Sequence, residues 1–253
     1  MELTAVEGLP EIRPGDDLAA TIEERVAVAE GDVLAVASTV VSKAAGRLAD
    51  LEEYAAGPRA REIAATYEEH TGEERDPRFA QAVLEESVEL LTVFPFMLTA
   101  TRFGHVTVNA GIDRSNVPDH DLLLLPRDPT GRATAIREGL SVDASVIVTD
   151  TCGRPFRQGQ RGVAIGWSGL PACRDWRGEP DREGRELGVT VQCVVDELAA
   201  AANLLMGEGT DGTPVVRVRD FEFGDHDGHD AVFRDVEGDY VRQALREWRY
   251  END

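Results

Sequence analysis

Lysine is nearly missing from this sequence: Lys43 is the only one among 26 basic residues in a chain of 253, and all the others are arginine. Against those bases stand 48 aspartates and glutamates, for a formal charge of -22. A surface of that sign argues against nucleic acid and against anionic membranes as partners, because both recruit proteins through positive charge. Long apolar runs are missing too. No window approaches the roughly 18 consecutive apolar residues of a membrane span. The opening MELTAVEGLP has neither the basic region nor the apolar core of a signal peptide, so a cytoplasmic chain is expected. Cysteine is scarce: Cys152, Cys173 and Cys193 are spaced too widely for a paired zinc motif, and reduced thiols are expected. No G-x-x-x-x-G-K-[ST] string and no G-x-S-x-G elbow occurs, so neither a P-loop nor a hydrolase nucleophile of that type is available.

What is there suits a folded protein. A hydrophobic fraction of 42% and this length allow a sizeable core, in one large domain or two small ones. The acidic, lysine-poor composition fits adaptation to salt, which screens carboxylate repulsion. It fits equally a GC-rich genome that disfavours lysine codons.

Along the chain, Leu3 to Val6 reads as a strand, and Asp16 or Asp17 can cap a helix reaching to about Val26. Val33 to Ala37 reads as a strand that delivers Ser38, Thr39, Ser42 and Lys43 at its end. Helical spacing runs over Pro58 to Glu69 and Pro77 to Leu90. Phe96 to Thr101 and Val106 to Asn109 flank Phe103-Gly104-His105 as a hairpin. Leu122 to Leu125 is a buried run, and Thr130 to Leu140 a short helix. The β-branched run Val146, Ile147, Val148 leads to Thr149, Asp150 and Thr151, where a buried strand would surface and a glycine- and arginine-rich loop follow. Pro171 to Arg185 reads as loop, Val189 to Met206 as one amphipathic helix, and residues 207–214 as a turn-rich loop. Val215 to Val218 is a strand, Asp225 to Asp230 a solvated acidic turn, and Tyr240 to Trp248 a helix.

Three features carry chemistry. Asp113, Asp150, Glu208 and Asp211 each sit in a short polar loop beside Gly, Asn or Thr; such acids either bind hard cations such as Mg²⁺ and Mn²⁺ or simply form turns. From Thr151 to Arg174 the 24 residues include no acid and four arginines. Arg154, Arg157 and Arg161 stand there among glycines, as an anion site would have them, or as arginines that pair with surface carboxylates. Lys43 is retained where arginine serves at every other basic position, as a nucleotide phosphate needing a compact ammonium would require, or by chance. Ser38 and Thr39 could cap a helix or bond a phosphate.

The segments VEGLPEI, STVVSKAAGR, NAGIDRSN, VTDTCGRPFRQGQRGVAIG and GRELGVTVQCVVDELAAAANLLMGEGTDGTP resemble the F420-0 γ-glutamyl ligase family of archaea, over the chain to about Val218. The resemblance implies an α+β protein with two intertwined subdomains and no P-loop, 1–253 forming one ligase domain that works as a homodimer. It implies a ligase that uses GTP to add L-glutamate to coenzyme F420-0, by way of an acyl phosphate. The family's guanine nucleotide contacts fall on Leu9, Pro10, Glu11 and Ile12, on Ser38, Thr39 and Lys43, on Asn116, and on Met206, Gly207, Glu208, Gly209, Thr210, Asp211, Gly212 and Thr213. Its two divalent sites, for Mg²⁺ or Mn²⁺, fall on Asp113, Asp150, Thr151 and Glu208, and K⁺ is a further ion the resemblance leaves room for. Asp150 and Lys43 are then the catalytic pair, and Arg154, Arg157 and Arg161 are inferred to bind substrate anions. A metal-dependent phosphohydrolase and a nucleotide-sensing module are the competing readings of the same residues.

Overall fold

The computed structural model describes residues 1–115, 117, 119–209 and 212–248. In chain order the elements are β1 (Glu2–Ala5), α1 (Leu18–Glu23), β2 (Val33–Ala37), α2 (Ser38–Ala44), β3 (Leu48–Ala49), α3 (Pro58–Thr71), α4 (Pro77–Glu86), β4 (Ser87–Thr92), β5 (Leu98–Thr101) and β6 (Val106–Val108). They continue with β7 (Leu122–Leu123), α5 (Pro129–Gly139), β8 (Ser145–Arg154), β9 (Arg157–Ser168), β10 (Cys173–Asp175), β11 (Val191–Cys193), α6 (Val194–Met206), β12 (Val215–Arg219), β13 (Asp227–His229) and α7 (Tyr240–Glu247). Helices and several separate sheets make this an α+β protein. Asp17, Asp76, Asp128 and Asp239 each cap a helix by accepting a backbone N–H of its first turn.

Two compact units share the chain. The first takes Met1–Gly46 and Asp128–Val232, the second Arg47–Arg127 and Phe233–Asp253. The first is built on a five-stranded sheet of order β1-β12-β2-β8-β9, in which only β2 and β8 run parallel. Its centre is aliphatic, mostly β-branched, and buried: Val33, Leu34, Val36, Val146, Ile147 and Val148. On one face Ala35 and Val216 pack against Ala202 and Met206 of α6. The other face carries α5. Two glycines of β9 show how close the helices lie: a Cβ at Gly162 would sit 2.5 Å from the Ala199 carbonyl of α6, and one at Gly166 would sit 2.4 Å from Pro129 at the start of α5. A small sheet of order β11-β10-β13 completes this unit. There Cys173 pairs directly with Cys193, yet none of the three cysteines forms a disulfide. Burial, with Asp196 adding to it, pushes the Cys193 thiol up to about 12, so it stays protonated.

The second unit has a core of α3 and α4 residues, Ile63, Phe79 and Val83, against Met97, Leu122 and Leu124. A sheet of order β4-β5-β6 and a short β3-β7 ladder belong to it. The C-terminal helix joins this unit through Glu89, which accepts from Arg242 and Arg246. Burial alone would raise the Glu89 carboxyl; the two guanidinium hydrogen bonds outweigh it and hold it below its ordinary value.

Five expectations are corrected. Within the expected loop Pro171 to Arg185, Cys173–Asp175 is a strand, paired with β11 and β13. The helix expected to run to Leu90 ends at Glu86, because Ser87–Thr92 pairs with β5. The helix expected from Val189 starts at Val194, because Val191–Cys193 pairs with β10 and leaves Val189 exposed. The expected acidic turn at 225–230 is partly strand, and Asp230 accepts from Trp167 Nε1 at 2.8 Å and from the Ala172 N–H at 3.0 Å. The glycine- and arginine-rich loop after Thr151 is a hairpin arm: β8 continues to Arg154, turns at Pro155 and Phe156, and returns as β9. Its glycine at 159, with φ of +81°, lies in a bulge rather than a loop.

Candidate functional site

The strand register of the first unit decides which residues meet. β2 and β8 run parallel with Ala37 opposite Thr149, so the next residues lie side by side: Ser38 where the chain turns from β2 into α2, and Asp150 on β8, which runs on beside β9. The Ser38 hydroxyl donates to Asp150 Oδ1 at 3.0 Å. Ser38 is thus not a helix cap: α2 is capped at Ala37 without any side chain. β12 lies antiparallel to β2 and therefore begins at the same end, where the Ala37 N–H donates to the Pro214 carbonyl at 2.8 Å. β1, antiparallel to β12, ends there as well, with the Val6 N–H on the Val215 carbonyl at 2.9 Å. Hence residues 8–12, 38–43, 150–151, 207–209 and 212–213 all gather at the end of the sheet where β2 finishes and its parallel pairing with β8 ends. In open sheets the carboxyl ends of parallel strands are where ligands bind.

Within this cluster Leu9 is half-buried, Pro10 and Glu11 are exposed, and Ile12 is buried as the anchor of its loop. Lys43, one turn into α2, extends its ammonium to Glu11 Oε1 at 2.5 Å. The lysine side chain is 12% exposed and the glutamate 64%, so the shielded cation is held by a carboxylate that is free to move into solvent. Thr39 is half-buried on the same helix.

Successive side chains of a strand point to opposite faces, and β8 uses both. Thr149 and Thr151 face α6: the Thr149 hydroxyl approaches Met206 Sδ, and the Thr151 hydroxyl donates to Glu208 Oε1 at 3.1 Å. Asp150 faces the other way, toward α2. Asn203 of α6 ties the first set together, donating from Nδ2 to Glu208 Oε1 at 2.9 Å and to Thr151 Oγ1 at 3.3 Å. Asn203 escaped the sequence reading. The signal was an amide in the last turn of α6, the one polar residue after Glu197 in a helix that is otherwise apolar from there on. Met206 is buried in the core, and the Thr213 hydroxyl donates to the Leu205 and Met206 carbonyls, closing the end of α6. Gly207, Glu208, Gly209 and Gly212 are exposed. The string Gly207-x-Gly209-x-x-Gly212 has the spacing of a dinucleotide fingerprint, but it follows a helix and precedes a strand, the reverse of the context that motif needs.

Asp113 belongs to the second unit. Its backbone bridges Leu123, and its carboxylate accepts from the Ser115 N–H and hydroxyl at 2.7 and 2.8 Å. The preceding Asn109, Ala110 and Gly111 all have positive φ, of 53°, 56° and 68°; such backbone strain in non-glycine residues persists only where the surroundings impose it. Asn116, Thr210 and Asp211 lie outside the described residues.

The three arginines of the arm part company. Arg161 reaches Asp196 at 3.6 Å. Arg154 and Arg157 stand directly opposite one another across the two strands, and Arg154 donates to the Gly159 carbonyl at 3.4 Å.

The donor set around β8 is all oxygen: Asp150 on one face, Thr151 and Glu208 on the other. That chemistry suits Mg²⁺ or Mn²⁺ and excludes a soft-metal site there. Among the described residues no group of three or more His, Cys, Asp or Glu side chains gathers in metal-binding geometry, so waters or substrate oxygens would have to complete either shell.

An α+β protein that presents hydroxyls, carboxylates and one shielded lysine at a sheet end, without a P-loop, defines a class apart from the usual nucleotide-binding folds. The family described as F420-0:gamma-glutamyl ligase matches residues 8–220, and the chain belongs to that family. It is 69% identical over 252 residues to the coenzyme F420:L-glutamate ligase of Halorubrum lacusprofundi, covering all of both chains. The protein of that name from Natronomonas pharaonis is 66% identical, with 99% of this chain and 98% of that one covered. That of Archaeoglobus fulgidus is 50% identical, with 97% and 98% covered. Halophilic archaeal hosts among these relatives fit the acidic, lysine-poor composition.

Proposed function

We propose that the chain is a ligase that joins L-glutamate to coenzyme F420-0 at the expense of GTP. The convergence of residues 8–12, 38–43, 207–209 and 212–213 with Asp150 and Thr151 at one sheet end carries this reading, because the resemblance puts the nucleotide on the first four segments and the metal on Asp150, Thr151 and Glu208. Forming an amide in water requires a better leaving group than hydroxide. Transfer of the γ-phosphoryl of GTP to the terminal carboxylate of the precursor supplies one: the bond to the β-phosphate oxygen breaks, GDP leaves, and an acyl phosphate forms. The glutamate amine then attacks the acyl carbon, and phosphate departs.

Lys43, released from Glu11, places a compact ammonium against the nucleotide phosphates. Ser38 orients the Asp150 carboxylate, and Asn203 holds Glu208 beside Thr151. Asp150 on one face and Thr151 with Glu208 on the other would hold Mg²⁺ or Mn²⁺, which when bound neutralises charge on the phosphoryl oxygens. The resemblance gives Asp113, in the second unit, a metal-ligand role as well. A homodimer is part of the proposal; Phe156, fully exposed at the tip of the arm, and Leu204, exposed on α6, support an unfilled contact surface.

The test is mass spectrometry of the deazaflavin product after incubation with F420-0, GTP, Mn²⁺ and L-glutamate in high salt, with phosphate release followed in parallel. A mass gain of one or more glutamates, with phosphate release that requires the amino acid, is expected. Phosphate release without glutamate and without a mass gain would make the protein a phosphohydrolase; GTP binding without turnover would make it a nucleotide sensor. Equilibrium sedimentation tests the dimer.

A further inference from the structure

The hairpin arm beyond Thr151 does nothing for the core. Residues 157–161 of β9 are all exposed, and among the described residues its outer edge has no strand beside it. Its cross-strand pairing sets Arg154 opposite Arg157, and like charges directly opposed across an antiparallel pair destabilise it. In a chain with 48 acids, neither guanidinium has a carboxylate partner among the described residues. The adjoining residues offer no neutralisation either, since none of the 24 from Thr151 to Arg174 is acidic, while Gln158 and Gln160 add amide donors beside the pair. Arg161, the third arginine, is already engaged by Asp196. A repulsive pair kept free of acids is what an external anion would relieve.

We propose that Arg154 and Arg157 form a two-guanidinium clamp for a carboxylate or phosphate of the anionic precursor, away from its reacting end. This rests on the ligase reading. Arg154 lies three residues beyond Thr151 on the same strand, about 10 Å along it, so one elongated substrate can hold its reacting carboxylate at the sheet end and a second anionic group at the clamp. Paired guanidinium hydrogen bonds are short enough to act within the Debye length of about 3 Å in molar salt, where longer-range attraction is lost.

The double variant Arg154→Ala/Arg157→Ala tests it, read by isothermal titration of F420-0 into the full-length chain and by KM for each substrate. The alanine pair should weaken F420-0 binding tenfold or more and raise its KM in proportion, with KM for GTP and L-glutamate within twofold of the parent. Arg154→Lys/Arg157→Lys, which keeps the charge but loses the planar fork, should fall between them. Unchanged F420-0 affinity in the alanine variant overturns the clamp while leaving the ligase reading intact. So does unchanged affinity combined with loss of self-association in sedimentation, which would assign the pair to contact between copies. A parent chain that neither binds F420-0 nor ligates glutamate removes both proposals together.

Discussion

Replacing Gly162 by alanine should damage the site through the packing of a helix against a strand, without touching any candidate ligand. A Cβ at this position would lie 2.5 Å from the Ala199 carbonyl oxygen and 2.9 Å from the Cβ of Asn203, whereas ordinary contacts begin at 3.4 Å. The nearest atom is backbone, so no side-chain rotation can relieve the clash, and α6 must retreat by about 1 Å. Overpacking of this kind costs roughly 1–3 kcal/mol, and a backbone clash belongs in the upper half of that range. For a protein of this size, roughly 2–3 kcal/mol lowers Tm by about 4–12 °C. The shift also pulls Asn203 away from Thr151, a hydrogen bond already 3.3 Å long, so turnover should fall by about tenfold or more in the fraction that stays folded. Gly153→Ala is the control: a Cβ there meets nothing within 4 Å and its φ is unexceptional, so Tm should not fall. Differential scanning calorimetry with steady-state kinetics in high salt reads both variants. A Gly162→Ala protein with unchanged Tm and turnover would refute the close seating of α6 on β9 and, with it, the role given to Asn203.

Asp150→Asn should abolish turnover while leaving the circular dichroism spectrum and Tm close to the parent, and near-normal activity would remove Asp150 from the reaction. Asp113→Asn should weaken Mn²⁺ binding in titration calorimetry if that residue belongs to the metal set; an unchanged isotherm would exclude it. His105 is buried, and desolvation lowers its imidazole from 6.5 to about 4. The unfolded chain therefore takes up this proton first, so the stability it contributes is complete above about pH 6.5 and is lost as pH falls through that value toward about 4, by about 3 kcal/mol at most. Urea unfolding across that window should be less steep in pH for His105→Leu than for the parent; equal slopes would contradict the buried neutral imidazole. Finally, with a charge of -22, Tm should drop when KCl is lowered from about 2 M to about 0.1 M, where the Debye length grows from a few ångströms to about 10 Å; a salt-independent Tm would mean the acidic surface is not self-repelling.

Much of this was set locally and could be read locally. The buried strands Val33–Ala37 and Val146–Val148, the two helices that begin at Pro58 and Pro77, and the hairpin around Gly104 follow from β-branched runs, apolar spacing and turn residues, all properties of a few neighbouring positions. The polar clusters at Ser38 to Lys43, at Asp113, at Asp150 and at Glu208 were equally visible, as was the acid-free arginine stretch. Pairing was not. Val191–Cys193 looks like the start of an apolar helix until β10 claims it, and residues 151–161 look like a loop until the two strands are laid side by side, because a ladder's hydrogen bonds come from residues distant in sequence. Register decided the rest. The parallel alignment of Ala37 with Thr149 is what sets Ser38 against Asp150, and the two-residue period of β8 is what sends Asp150 to one face and Thr151 to the other. The same register leaves Arg154 facing Arg157, a repulsion that no reading of the arginines one by one would have disclosed. Composition and pattern thus determined which residues could act, and only the tertiary pairing of strands determined which of them lie together.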